Sequence, residues 1–385
     1  MKKKIFYWGP FTDKGIGTKK AILNSAKSIN KYSSSYEAVI INAIGEWNNE
    51  KKNENVKYLS LGPNIFDGLP RYGFIKSRLA FIQIFFASFF KLKKLILKEK
   101  PDYLMIHLIS SLPLILFILF NFKTKLLFRV SGKPNLNFIR SLLWKLSSHK
   151  IQNIFCNTKE QKDELIKNKI FLPEKIDVLY DPIFSIRNIL KERKQTNFDI
   201  KFKKNNILLV GRLTRQKNFE LMIKAFRDLR NKELKNFKVY ILGEGELMDK
   251  LKKLIENYNL SDCIFLLGSK KNVNKYYYTS KIFIMTSLWE DPGFVLIESA
   301  INNCSIISSD CKSGPREILE NGSGGFLFKN NDIGSFKEII TRYLNSNDQE
   351  LKQMKINVKK NIRKYSLLKH YLLLKELILK QENKA

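Results

Sequence analysis

Histidine and cysteine are scarce in this chain of 385 residues, which holds three of the first and four of the second. Cys156, Cys263, Cys304 and Cys311 stand apart, with no Cys-x-x-Cys and no metal-type pairing, so neither a zinc module nor a disulfide framework organises the fold. Free, mostly buried thiols in a reducing compartment are the expectation. Acidic residues are also short, 36 against 69 Lys and Arg, which leaves a net charge of +33. Long apolar runs are missing: the strongest, residues 79–90 and 112–120, fall short of the roughly eighteen residues that a spanning helix needs. The basic lead Lys2-Lys3-Lys4 precedes an apolar run too short for a signal peptide and reads as a first strand. A Gly-x-Gly-x-x-Gly turn is absent as well, since Gly15-Ile16-Gly17 and Gly243-Glu244-Gly245 both lack a third glycine, which speaks against a dinucleotide oxidoreductase. Without zinc spacing, a helix-turn-helix signal or an RNA-binding aromatic motif, nucleic acid is not the expected partner.

What is present suits a large globular protein. With 44% hydrophobic and 12% aromatic residues the chain can bury substantial cores, and its length suggests two domains of about 180 residues. Short apolar runs at 4–8, 38–43, 57–61, 103–107, 126–130, 154–156 and 177–180 read as strands separated by helical stretches. The alternation resumes with strands at 207–210, 238–242, 264–267, 282–286 and 305–309. Strands spaced by helices imply βαβ units, parallel sheets and an α/β fold. Between the two series, residues 185–206 are polar, Lys-rich and without strand signals, and form the candidate linker.

Chemistry concentrates in the second series. Glu290 and Glu298 flank Asp291-Pro292-Gly293-Phe294-Val295-Leu296-Ile297, a Pro-Gly turn that opens a helix. Gly293 permits close approach of a ligand to the backbone, and the free N–H groups at a helix start suit a phosphate. The two carboxylates can accept hydrogen bonds from sugar and ribose hydroxyls, although an N-terminal acid and a solvated helix face account for the same residues. Upstream, Ile207-Leu208-Leu209-Val210 runs into Gly211-Arg212-Leu213-Thr214-Arg215-Gln216-Lys217, after which Leu221, Met222, Ala225, Phe226 and Leu229 recur at helical spacing. A loop at the carboxyl end of a parallel strand is where open α/β sheets place ligands, and Arg212 with Lys217 can hold a diphosphate.

In order and spacing these pieces resemble the carboxy-terminal domain of the retaining glycosyltransferases of family 4 (glycosyl transferases group 1), which have the GT-B fold. Gly211 to Lys217 is similar to the family's phosphate-binding loop, Gly243-Glu244-Gly245 to its next turn, and Glu290 to Glu298 to its glutamate pair. Ser308-Ser309-Asp310, Gly314-Pro315-Arg316-Glu317-Ile318 and Gly324-Gly325-Phe326-Leu327 resemble the loops beyond. The resemblance is strong from about residue 205 to 330; it departs where Asp291-Pro292 precedes Gly293 and where Ser313-Gly314-Pro315 replaces a Gly-Gly pair.

The resemblance implies two facing Rossmann-like domains with a cleft between them. They comprise an acceptor-binding domain over 1–184, the linker 185–206, a donor domain over 207–362 and a helix over 363–385 that returns to the first domain. It implies transfer of a sugar from a UDP- or GDP-sugar, without a metal, to a hydroxyl of a lipid-linked glycan. The setting is the inner face of a bacterial cytoplasmic membrane, in lipopolysaccharide O-antigen or capsule biosynthesis. Arg212 and Lys217 would hold the diphosphate together with backbone around Gly293, Phe294 and Val295, Glu290 the donor sugar and Glu298 the ribose. His107, Gly15 and Gly17 belong by the same resemblance to the acceptor-domain side of the site, and Gly211 and Gly243 to the donor side. A sugar-nucleotide epimerase or hydrolase of the same fold, and a non-enzymatic basic binding protein, are the competing readings.

Two further patterns complete the sequence. Residues 71–155 hold fifteen basic side chains against Glu99 and Asp102, within the most apolar stretch of the chain, a combination expected on an anionic membrane surface. Phe81, Phe85 and Phe89 at a spacing of four also read as core contacts. Finally, Leu367, Tyr371, Leu374 and Ile378 line one side of a last helix around 366–381.

Overall fold

A computed structural model describes residues 2–10, 17–50, 55–62, 64–69, 74–132, 134, 136–195, 205–230 and 233–383. Gly15 lies outside the described residues. The chain divides into two compact units, residues 1–185 with 365–385, and residues 186–364.

The first unit is built on seven parallel strands: β1 (Lys3–Trp8), β2 (Tyr36–Asn42), β3 (Lys57–Ser60), β4 (Tyr103–Ile106), β5 (Lys125–Arg129), β6 (Ile151–Cys156) and β7 (Ile176–Val178). Their order is β3-β2-β1-β4-β5-β6-β7, with registers such as Ile5 opposite Ala38 on one side and Tyr103 on the other. Parallel strands covered on both faces must be apolar on both, and β4 is buried throughout. One face carries Phe6, Trp8, Leu104 and Ile106 against helices Phe74–Glu99, Ser111–Leu119 and Phe138–Ser147. The other carries Ile5, Tyr7 and Met105 against helix Gly17–Tyr32 and the last helix, Leu367–Glu382. That last helix starts at Ser366, whose side chain accepts from the Lys369 N–H, and it buries the apolar stripe Leu367, Tyr371, Leu374 and Ile378. Of the phenylalanines spaced four apart, Phe85 and Phe89 pack on the core while Phe81 is exposed, because the inward stripe of the long helix runs one position earlier, through Ala80 and Ile84.

The second unit holds β8 (Asn206–Val210), β9 (Lys238–Leu242), β10 (Ile264–Leu266), β11 (Ile282–Met285), β12 (Ser305–Ser309) and β13 (Phe326–Phe328). They too are parallel, in the order β10-β9-β8-β11-β12-β13. Strand β13 escaped the sequence reading, since three residues behind Gly324-Gly325 are too few to show a period. Residues 186–195, within the expected linker, form a helix that belongs to this unit. All four cysteines are free and buried.

Candidate functional site

In both sheets the strand order reverses direction beside the first strand, between β1 and β4 and again between β8 and β11. Connections from such neighbouring strands leave to opposite sides of the sheet, and the crevice at their carboxyl ends is the natural ligand position. Of the sequence candidates, His107 follows β4, Gly211, Arg212 and Lys217 follow β8, and Glu290, Gly293, Phe294, Val295 and Glu298 follow β11, while Gly243 follows β9.

In the second unit the loop after β8 meets the loop after β11. Thr286 Oγ1 donates to the Lys217 carbonyl at 2.8 Å, the Leu288 N–H to the Gln216 carbonyl at 2.8 Å, and Gln216 Nε2 to the Trp289 carbonyl at 2.9 Å. These bonds fix the two backbones while leaving the charged ends at the crevice. Lys217 Nζ lies 2.5 Å from Glu290 Oε1, which also accepts from Ser287 Oγ at 2.5 Å. Ser287 in turn is held by Ser309 Oγ, which donates to its carbonyl at 2.6 Å. The site thus brings Lys217 and Glu290 into direct contact, an ion pair that sequence spacing alone had left as a phosphate cation and a sugar carboxylate. Cys311 is close by, and burial, with the Glu290 charge as second cause, pushes its thiol up to about 12, so it stays protonated and unreactive. Arg212 is exposed and has no carboxylate partner among the described residues, which leaves its guanidinium available to an anion.

Glycines set the loop geometry. A Cβ on Gly243, at φ +139°, would stand 1.8 Å from the Gly211 carbonyl oxygen, so glycine there lets the loops after β8 and β9 touch. Its presence in the motif is explained by that packing. Gly211 in turn lies under the Lys217 stem, whose Cδ and Cε would be 3.1 Å from an added Cβ. Gly314, at φ +137°, admits the Pro292 carbonyl in the same way. Gly293 (φ +94°) caps helix Phe294–Ile301 without any side-chain cap, so the N–H groups of Phe294 and Val295 have no partner within the helix. Glu298, half-buried on the first turns of that helix, accepts from Tyr277 OH at 3.4 Å.

In the first unit His107 directly follows β4, and its N–H donates to the Trp8 carbonyl at 2.9 Å. The side chain is buried, and neither ring nitrogen has a hydrogen-bond partner among the described residues. Burial first, then the Arg129 charge, hold it well below the usual histidine range, so the ring is neutral. It stacks on Tyr7 with centroids 5.9 Å apart. Gly17 opens helix Gly17–Tyr32, which packs on the same face of the sheet as Tyr7.

Sequence reasoning missed what lies behind His107. Tyr7 OH and Ser25 Oγ are 2.7 Å apart, Ser25 Oγ and His370 Nε2 are 2.7 Å apart, and His370 Nδ1 is 2.6 Å from the Tyr180 carbonyl. A carbonyl only accepts, so Nδ1 carries the proton, Nε2 accepts from Ser25, and Ser25 accepts from Tyr7. Arg129 is buried beside it, paired to Asp181 at 2.6 Å and donating to the carbonyls of Cys156 and Leu179 and to Asn157. Burial raises the Asp181 carboxyl, against the pull of Arg129.

Two Rossmann-like domains of parallel sheet with site loops at the strands' carboxyl ends define the GT-B class. The chain superposes over 98% of its length, and all of the other, on Anabaena HepE in complex with UDP and glucose, with TM-score 0.71 and 16% identity. Staphylococcus aureus TarM, in complex with fondaparinux, alpha-GlcNAc-glycerol and UDP, gives TM-score 0.73 and 16% identity over 97% of this chain and 99% of that one. Residues 191–361 match the family model for glycosyl transferases group 1. A relative from Campylobacter jejuni is 30% identical over 234 residues, 58% of this chain. It is named N-acetylgalactosamine-N,N'-diacetylbacillosaminyl-diphospho-undecaprenol 4-alpha-N-acetylgalactosaminyltransferase. The match spans 61% of that relative's length.

Proposed function

We propose that the protein is a retaining family 4 glycosyltransferase that moves a sugar from a UDP- or GDP-sugar to a hydroxyl of a lipid-linked glycan in bacterial surface polysaccharide biosynthesis. The observation that carries this reading is the Lys217–Glu290 pair across the β8/β11 switch point, with the exposed Arg212, which has no carboxylate partner among the described residues, on the same loop after β8 and the uncapped helix start at Gly293 on the loop after β11. Cation, carboxylate and free N–H groups in one crevice match the parts of a nucleotide-sugar: diphosphate, sugar and ribose. Support also comes from the name of the Campylobacter relative, an N-acetylgalactosaminyltransferase with an undecaprenol-diphosphate-linked acceptor, and from the UDP complexes of the structural neighbours.

The chemistry asked of these residues is limited. The bond from the anomeric carbon to the diphosphate must loosen, and the negative charge that develops on the phosphate must be met by donors already in position. Arg212 and the N–H groups of Phe294 and Val295 serve the departing diphosphate, and Lys217 shares its charge between that diphosphate and Glu290. Glu290 faces the donor sugar and steadies positive charge at its ring, and Glu298 receives the ribose hydroxyls. The departing phosphate oxygen takes the proton of the acceptor hydroxyl, which enters on the same face. Within the first unit, His107, neutral and with no ring-nitrogen partner among the described residues, is the residue assigned to a sugar hydroxyl. The basic, apolar layer of that unit suits an enzyme working peripherally at the cytoplasmic face of the membrane.

The test incubates the purified protein with a panel of UDP- and GDP-sugars and follows nucleotide release with and without undecaprenyl-diphosphate-linked glycans. Acceptor-dependent release with one donor is the expected result. Release at the same rate without any acceptor points to a hydrolase or epimerase. Folded Arg212→Ala and Glu298→Ala proteins that transfer at the wild-type rate refute the residue roles.

A further inference from the structure

The outward side of one helical layer in the first unit is apolar and basic at once. Helix Phe74–Glu99 turns Ala80, Ile84, Ser88, Leu92 and Ile96 inward at a spacing of four. The opposite stripe, Leu79, Ile82, Phe86, Phe90 and Leu97, faces solvent, with Phe86 75% and Phe90 72% exposed. A helix apolar on both sides belongs inside a core or at a membrane, and here a core covers only one side. Helix Phe138–Ser147 repeats the pattern with Phe138 81% and Ile139 76% exposed. Both helices pack beside Ser111–Leu119 on the same face of the sheet, so their free stripes look the same way. Single exposed apolar residues are ordinary; four large ones, each more than two-thirds exposed in one layer, are not.

Charge decides what covers the layer. Lys91, Lys94 and Lys98 are exposed along the long helix, and Arg140 and Lys145 along the other. A second copy of this chain would set these cations against their own kind. We propose that the layer docks on an anionic phospholipid bilayer, with the aromatic rings at the boundary of headgroups and acyl chains and the lysines at lipid phosphates. No helix among the described residues is long and apolar enough to cross a membrane, so the docking is interfacial. The proposal rests on and deepens the peripheral membrane setting proposed above, and its test, which needs no catalytic readout, fails or succeeds separately from sugar transfer in the donor crevice.

The full chain is floated with vesicles of phosphatidylcholine alone and of phosphatidylcholine mixed with phosphatidylglycerol. Wild type is expected to float only with the anionic vesicles. Phe86→Ser with Phe90→Ser is expected to weaken vesicle binding on the order of tenfold per ring, as for transfer of an aromatic side chain back to water. Lys91→Glu with Lys94→Glu and Lys98→Glu is expected to abolish it independently. All five positions are exposed, so circular dichroism and thermal unfolding should match wild type. Wild-type protein that stays in solution with anionic vesicles overturns the proposal. So does equal binding to both vesicle types, or binding by both variants at the wild-type level. A wild-type dimer in light scattering that these substitutions convert to a monomer overturns it in favour of self-association.

Discussion

Replacing Lys217 by Met separates the charge of the Lys217–Glu290 pair from its packing. Methionine keeps a stem over Gly211, where the lysine methylenes now sit, and removes only the ammonium. Glu290 then retains the Ser287 hydroxyl as a donor but loses its cation, in a position where its side chain is 7% exposed and that of Lys217 13%. Removing one partner of a buried pair costs about 3–5 kcal/mol, because the other charge is left without compensation. The partial exposure of Lys217 at the crevice lets water reach the carboxylate, which brings the expectation down to about 2–3 kcal/mol. For a unit of this size that corresponds to a loss of roughly 4–12 °C in the transition of residues 186–364. Adding Glu290→Gln to Lys217→Met removes the stranded charge, so the double variant should recover most of the loss. The assay is thermal unfolding of wild type, both single variants and the double variant, with UDP titrated by calorimetry in parallel. If Lys217→Met is as stable as wild type, or the double variant is no better than the single one, the pair is not the buried unit described.

Gly243→Ala should destabilise the second unit by more than about 3 kcal/mol in urea unfolding, since its Cβ would meet the Gly211 carbonyl oxygen at 1.8 Å and backbone cannot yield as a rotamer does. Gly322→Ala, also at positive φ but with nothing within 4 Å, should cost only about 1 kcal/mol, so equal effects would refute the close-contact explanation. His370 is held down to about 3 from its ordinary 6.5, first by burial, so the folded state keeps it neutral while the unfolded state takes up a proton below that ordinary value. The stability it contributes is therefore present above pH 6.5 and lost as pH falls from there toward about 3. His370→Asn should flatten the stability profile over that range by up to about 1.4 kcal/mol per pH unit, and an unchanged slope would place the histidine outside the buried relay. Arg212→Ala should leave the melting temperature unchanged but weaken UDP binding about tenfold or more, the value of a charge-assisted bond to phosphate; unaltered affinity would remove Arg212 from the site.

The sequence by itself determined the elements and the chemistry carried at their ends. Twelve of the thirteen described strands are visible as short apolar runs, because buried parallel strands must be apolar on both faces, and their alternation with helices leaves parallel sheets as the consistent solution. Arg212, Lys217, Gly293, Glu290 and Glu298 are readable for the same local reason: each sits within a few residues of a strand end or a helix start. Tertiary structure alone decided which of them meet. Lys217 and Glu290 are 73 positions apart, and only the adjacency of β8 and β11 brings ammonium to carboxylate. Ser25 and His370 are 345 positions apart, so no period or motif joins them. The long basic helix shows the division within one element. Its composition announced an apolar, cationic segment, but the inward stripe through Ala80 and Ile84 was chosen by the sheet it packs on, and that choice left Phe86 and Phe90 in solvent. Periodicity records that a helix has faces; which face is covered depends on neighbours that the local sequence does not contain.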